Sequence, residues 1–396
     1  MSTLLDQLTA RVSPERLRDL TLELVRIPSP TGDAADVTAL YAETVRDLGL
    51  PVEVLTDYPK SPSTVARWGS EPGRPTLTLD GHLDTIHAAH VPPYVEGQRI
   101  YGRGAGDMKS GVAAMVEATR VLLESGVRLG GNLILATHSL HEAPVGHMEG
   151  LKALIARGDV FVDAALVAEG GFDSLAVRGK GQCLFEIEIT REGEVLHENA
   201  ARPLGIANPL EQATQLAYRM LRRHEELSAR DDPLIGPETY FLGQIHGGDF
   251  YNRVPTRVFI NGNYRYLPDK DWPDVYREVD DQIAAVDWPA DVKVTRRLFG
   301  NGLGYDVSPE AGIVKTLQGA YRTIVGRDLP LVGSLSVCDV NVIAREGGIP
   351  AVAHGTGSTT AHADLEWVNL PDIVRTTKVF IATILGYLGV DASQGG

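Results

Sequence analysis

The sequence predicts an α/β domain interrupted by an inserted α+β domain. Three observations carry that reading. Up to about Ala168, short apolar strands alternate with helices, the pattern of a sheet with helices on its faces. Near Gly179-Lys180-Gly181 the character changes to longer strands of alternating polarity. From about Pro309 the helices and short apolar strands return. The length of 396 residues agrees with this division, since roughly 100–200 residues per domain predicts two or three domains. The expected boundaries are 1–178, 179–298 and 299–396, with the first and last segments forming one domain.

The elements follow in order. Ser13-Pro14 reads as an N-cap with proline at the first helical position, followed by Leu17, Leu20, Leu24 and Val25 at helical spacing until Pro28. A second helix is expected from Ala34 to Leu48, ending at Gly49. Thr76 to Asp80 is a buried strand ending in Gly81. Ser110 to Leu123 is a helix with alanine and valine on its packed face. Asn132–His138 and Asp163–Ala168 are two more apolar strands. In the insert, Cys183–Arg191 alternates, so Phe185, Ile187 and Ile189 should face a core and Glu186 and Glu188 solvent. Helices over Asn208–Arg223 and Asp274–Val286 and strands over Phe241–Ile245 and Arg257–Leu267 complete it. Pro309–Val325 and Arg375–Leu388 are helical, and Ile349–Val352 is a short strand.

Composition narrows the function classes. Hydrophobic residues make up 43% and charged residues 22%, which excludes collagen, low-complexity disorder and a disulfide mini-scaffold. The 37 basic and 52 acidic residues give a net charge of −15, which disfavours nucleic acid and anionic membranes as partners. Cys183 and Cys338 form no CxxC pair. The N-terminus lacks a basic segment leading into an apolar stretch, and no apolar run approaches the ~18 residues of a membrane span. The expectation is a cytoplasmic protein with a small-molecule substrate.

Five segments carry candidate chemistry. In Leu77-Thr-Leu-Asp80-Gly-His82-Leu-Asp84 a strand runs out at a glycine and presents an imidazole and a carboxylate on one side; a carboxylate beside a histidine is the usual support of a metal ligand. His87 and His90 follow but complete no compact ligand spacing. Tyr101-Gly-Arg-Gly-Ala-Gly-Asp107-Met-Lys-Ser-Gly111 leads into a helix. It is not a phosphate loop, because Met108 replaces the glycine before the lysine, and GxGxG is not the dinucleotide fingerprint. It leaves Asp107 at a helix entrance among glycines that allow close backbone approach. Thr137-His138-Ser-Leu-His141-Glu142, Val167-Ala-Glu169-Gly-Gly171 and Gly355-Thr-Gly-Ser-Thr-Thr-Ala-His362-Ala-Asp-Leu-Glu366 lie at strand ends. Open α/β sheets place sites at the carboxyl ends of strands. Carboxylates and imidazoles without thiolate suit zinc, cobalt or manganese.

The order of these motifs resembles the M20 metallopeptidase family of carboxypeptidase-type peptidases, aminoacylases, acetylornithine deacetylases and succinyl-diaminopimelate desuccinylases. The resemblance spans nearly the whole chain. It implies a zinc-peptidase-like catalytic domain with an inserted α+β lid and dimerisation domain, hence a homodimer, and a centre of two divalent metal ions. By that resemblance, His82 and Glu169 hold one metal, Glu142 and His362 the other, Asp107 bridges them and Asp84 orients His82. Gly193-Glu-Val-Leu-His197 matches the segment whose histidine stabilises an oxyanion in the partner subunit's site. Gly247-Gly-Asp-Phe-Tyr-Asn252-Arg-Val-Pro255 matches a substrate-side turn, and Arg265 matches a substrate-contacting arginine. Asp107-Met-Lys is most similar to the deacetylase and desuccinylase branch. Glycines near 179–181 and 300 would serve as a hinge for a closing lid.

Two departures from the family pattern stand out. Paired glutamates, general base then ligand, are replaced by His141-Glu142. An imidazole can act as a base near neutral pH, so His141 is the expected base. Ser-Asp-x-Arg is replaced by Cys338-Asp339-Val340-Asn341, which removes a cation that would bind a substrate carboxylate. The expected activity is hydrolysis of an amide bond in a small molecule such as an N-acyl amino acid or dipeptide, through a water shared by two metals. The alternatives are a hydrolytic deaminase or amidase acting on an unusual small molecule, aromatic ones included, and a non-catalytic metal-containing binding or dimer-forming protein.

Overall fold

The computed structural model describes residues 2–357 and 359–391. Ser358, within the glycine-rich loop before His362, lies outside the described residues. The chain forms two compact units. The first runs to Val177, resumes over Asp306–Gly333 and takes in the chain from Cys338 onward; the second is Arg178–Tyr305 with Ser334–Val337.

A six-stranded mixed sheet is the centre of the first unit. Its spatial order is Val52–Leu55, Ser63–Trp68, Asn132–His138, Thr76–His82, Ala164–Val167, Ala351–Ala353. The first two strands are antiparallel to their neighbours, and the last four run parallel. Thr76–His82 and Asn132–His138 are buried at every position, as parallel strands covered on both faces must be. Buried polar side chains among them therefore need partners inside the protein.

The helices form as their sequence signals predict. Pro14–Arg26 begins at Ser13, whose side chain accepts from the Arg16 N–H. Buried Glu117 accepts from the Ser13 N–H at 2.9 Å and from Arg16 at 2.7 Å, anchoring that helix entrance to a second helix, Lys109–Glu124. Lys109–Glu124 is buried on nearly all sides rather than on one face, because it is packed between Pro14–Arg26, Leu370–Leu388 and the sheet. A Cβ at Gly111 would lie 1.8 Å from the Ala168 carbonyl oxygen. Only glycine lets this helix approach the strand end that carries Glu169.

The second unit is a four-stranded antiparallel sheet in the order Thr239–Gly247, Arg257–Tyr266, Gly181–Arg191, Val292–Gly302. Gly181–Arg191 alternates strictly, with Cys183, Phe185, Ile187 and Ile189 buried and Glu186 and Glu188 partly exposed. These residues pack against Leu216 and Met220 of helix Pro209–Leu227 and Val275 and Val279 of helix Trp272–Ala284. Thr239–Gly247 is an edge strand on which Phe241 and Ile245 are 62% and 47% exposed. Among the described residues, no helix is long and apolar enough to cross a membrane.

Candidate metal centre

Four parallel strands of the first unit end at one edge of its sheet. His82 closes Thr76–His82 in register with His138, the last residue of Asn132–His138. His141 and Glu142 follow three and four residues later, Glu169 lies two residues past Val167, and His362 sits in the loop after Ala353. The topology thus brings together residues that are up to 280 positions apart (82 to 362) in the sequence.

His82 is fully buried, and its Nδ1 donates to the Asp84 carbonyl oxygen at 3.0 Å. That fixes the tautomer and leaves Nε2 with a lone pair directed into the cluster. Nε2 has no hydrogen-bond partner among the described residues and stands 3.9 Å from Asp107 Oδ2. On the other side, His362 Nε2 lies 2.7 Å from Glu142 Oε1 and 3.7 Å from Asp107 Oδ2. Ligand atoms of His82, Asp107 and Glu142 lie within 4.8 Å of one another, as do those of His82, His141 and Glu169. Glu169 Oε2 is buried and also without a partner. Burial, with nearby Asp107 and Asp339, pushes the Glu169 carboxyl up to about 8 despite His141. Two orphaned buried atoms of metal-ligating type, in an all-oxygen and nitrogen donor set, fit divalent cations.

The loops bearing these groups are held from behind. The Asp84 carboxylate accepts from Thr31 Oγ1 at 2.8 Å and from the N–H groups of His141 and Glu142 at 3.0 and 3.2 Å. It is the Asp84 carbonyl that hydrogen-bonds His82; the carboxylate Oδ1 is 3.7 Å away. Asp84 therefore orients His82 through its backbone and the His141-Glu142 turn through its side chain. Glu366 does the same for the Asp107 loop, accepting from the Gly106 and Asp107 N–H groups at 2.8 and 3.0 Å and pairing with Arg103. Leu140 and His362 both have φ of 64°, a left-handed conformation that non-glycine residues adopt mainly where the surroundings impose it.

His141 is buried and stacked on His82, ring centroids 3.9 Å apart. Its Nδ1 lies 2.9 Å from Asp339 Oδ1. The other oxygen of Asp339 lies 3.2 Å from His138 Nε2, which is 3.7 Å from Asp80 Oδ2. Burial opposes a charged ring at His141, but Asp339 outweighs it and holds the imidazole well above its ordinary value. In the same way Asp339 and Asp80 push His138 up to about 10 against the effect of burial. Asn341 is buried, and its Oδ1 accepts from the Cys338 N–H at 3.1 Å.

The remaining sequence candidates lie elsewhere. His197, Asn252 and Arg265 belong to the second unit. His197 Nε2 is 2.9 Å from the Asn252 side-chain amide, and Arg265 donates to the Leu335 carbonyl at 2.7 Å. His87 and His90 bond the backbone at Thr31 and Glu366. Lys109 donates to the Leu24 carbonyl at 2.9 Å, and burial pulls its amine down to about 7; it ties a helix end and cradles no phosphate. Sequence reasoning gave no role to Asp80, His138, Asp339, Thr31 or Glu366. A signal was present for two of them: Asp80 and His138 stand in strands otherwise apolar, where a charged group needs a partner.

The His138 shift predicts a pH-dependent stability. An unfolded histidine titrates near about 6.5. With the folded value raised, the protonated form contributes stability that is complete below about pH 6.5 and is lost as pH rises towards about 10. In urea titrations of metal-free protein, stability should fall from pH 7 to 10, and a His138→Gln variant should show a shallower fall. Equal slopes would refute the assignment.

The chain matches the model of peptidase family M20/M25/M40 over residues 78–386. It is similar to the LysW-lysine/LysW-ornithine hydrolase of Saccharolobus solfataricus, 23% identical over 372 residues, covering 93% of this chain and 95% of the relative. It is also similar to the succinyl-diaminopimelate desuccinylase of Alkalilimnicola ehrlichii, 26% identical over 389 residues, covering 94% and 99%. Its fold is shared with an M20 family metallo-carboxypeptidase from Sulfolobus solfataricus, TM-score 0.78 at 18% identity, covering 93% of this chain and 98% of that one. A dinuclear metal binding M20 peptidase from Bacillus subtilis superposes with TM-score 0.65 at 13% identity, covering 94% and 97%. The chain belongs to peptidase family M20/M25/M40 and is a hydrolase of that family.

Proposed function

We propose that the protein hydrolyses an amide bond of a small molecule, such as an N-acyl amino acid or dipeptide, with two divalent metal ions. The observation that carries this reading is the convergence of His82, Asp107, Glu142, Glu169 and His362, with His82 Nε2 and Glu169 Oε2 buried and unpartnered. His82 and Glu169 would hold one ion, Glu142 and His362 the other, and Asp107 both. When bound, such a pair lowers the pKa of a shared water and polarises the scissile carbonyl. Zinc fits the donor set, and cobalt and manganese are alternatives.

The chain's own groups supply the rest. His141 is held protonated by Asp339 in the metal-free site. With two cations beside it to favour the neutral ring, Nδ1–H stays on Asp339 and Nε2 would take the water's proton and deliver it to the leaving amine. His197 of the partner subunit would donate to the developing oxyanion, and Asn252 and Arg265 would bind substrate. Asn341 is neutral and already bonded to Cys338, so it supplies no cation for a substrate carboxylate. This favours a substrate outside ordinary peptide trimming. The exposed Phe241 and Ile245 on the edge strand Thr239–Gly247 support a homodimer formed through the second unit.

Metal-reconstituted protein assayed on N-acyl amino acids, dipeptides, other amides and aryl amines should release amine from an amide. His141→Ala should lower kcat by roughly 10²–10⁴-fold, the range of general acid–base catalysis. Full turnover by that variant would remove His141 as base, and a gain of activity in His141→Glu would indicate decayed catalysis. Sedimentation should show a dimer; a fully active monomer would contradict the role given to His197.

A further inference from the structure

The replacement at position 141 is accompanied by a buried structure that the hydrolase reading does not itself require. Behind His141 runs a string of alternating carboxylates and imidazoles: Asp339, His138, Asp80. Asp339 uses both oxygens, one at 2.9 Å from His141 Nδ1 and one at 3.2 Å from His138 Nε2. His138 Nε2 also faces Asp80 Oδ2 at 3.7 Å. All three side chains are wholly buried, and they come from three separate elements: Thr76–His82, Asn132–His138 and the turn before Asn341–Glu346. None of the three is among the proposed metal ligands.

We propose that Asp339, with His138 and Asp80 behind it, is a positioning device for His141, holding its ring with Nδ1–H on Asp339 and Nε2 turned to the metal pair. Three observations support it. His141 has one nitrogen engaged by a buried acceptor, so its tautomer and ring plane are set together. The ring is clamped from the side by its stack on His82 at 3.9 Å and 7°. Asp339 is itself fixed by His138, since a carboxylate shared by two imidazoles cannot rotate without breaking one bond. Asp80, His138 and Asp339 lie within 4.8 Å of one another in their ligand atoms, so a third metal ion is the competing account. Both Asp339 oxygens are at hydrogen-bond distance from ring nitrogens, whereas both Asp80 oxygens are unpartnered, and the zinc count below separates the two accounts.

This inference rests on the hydrolase reading only for its kinetic consequence; its structural half can be tested without any substrate. The probe is the zinc-loaded and the metal-free protein with 15N-labelled histidine, with His141 assigned by comparison with His141→Gln. Wild type should show a His141 proton on Nδ1 that is protected from solvent exchange in both forms. In Asp339→Asn that protection should be lost while zinc content stays the same. With a working substrate, Asp339→Asn should lower kcat by about 100-fold or more, with KM changed less than about threefold. His138→Gln, which keeps a donor to Asp339, should retain most of the activity that His138→Ala loses. An exchange-exposed or absent Nδ1 proton in wild type overturns the proposal, even if the protein hydrolyses amides. So does loss of zinc in step with activity in Asp339→Asn, or a zinc count of three per chain that falls to two in His138→Gln. A protein that hydrolyses nothing but shows the protected, Asp339-dependent proton would defeat the hydrolase reading and leave the positioning role standing.

Discussion

The structure of this site depends on one constraint: charged and ionisable groups sit at the buried ends of parallel strands, where none can remain without a counterpart. The strands Thr76–His82 and Asn132–His138 are covered throughout their length. Each polar group on them must be answered by another protein group or by a bound cation. His138 Nε2 is answered by Asp339, and Oδ2 of the Asp84 carboxylate by Thr31 and two backbone N–H groups. His82 Nε2 and Glu169 Oε2 are answered by nothing among the described residues. Asp80 Oδ1 and Oδ2, Asp84 Oδ1 and His138 Nδ1 are likewise unpartnered, so what marks His82 and Glu169 is their convergence with Asp107, Glu142 and His362 at the strand ends.

A second consequence concerns how the loops are fixed. The ligand-bearing segments are irregular, and irregular backbone must find its hydrogen bonds outside secondary structure. Asp84 and Glu366 supply them, each accepting two backbone N–H groups beside a candidate ligand. Gly111 allows the helix to press against the carbonyl just before Glu169. The left-handed residues Leu140 and His362 flank the same cluster. Apart from His362 itself, the candidate ligands are thus positioned by groups outside the proposed ligand set.

The alternation of strands and helices, the alternating insert strand and the carboxylates and imidazoles at strand ends were readable from the sequence, because each depends on local period or local composition. Ser13-Pro14 and Cys183–Ile189 show this most simply: a cap and a period-two core face need only a few neighbouring residues. The string from Asp80 to Asp339 was not readable, since it joins residues 80, 138 and 339, and no local rule relates them. The division of labour within Asp84 was hidden for a different reason. His-x-Asp spacing places the two side chains on one side of an extended segment, but the chain turns after His82, so the carbonyl meets the ring and the carboxylate reaches the next loop.

The central claim is that the groups left unanswered at the strand ends hold two metal ions. Anomalous diffraction from crystals of the zinc-reconstituted protein, recorded on both sides of the zinc absorption edge, tests it directly. The account predicts two peaks, roughly 3.5–4 Å apart as in other two-metal sites, bounded by His82, Asp107, Glu142, Glu169 and His362. No peak there, or zinc lodged only between Asp80, His138 and Asp339, would contradict it.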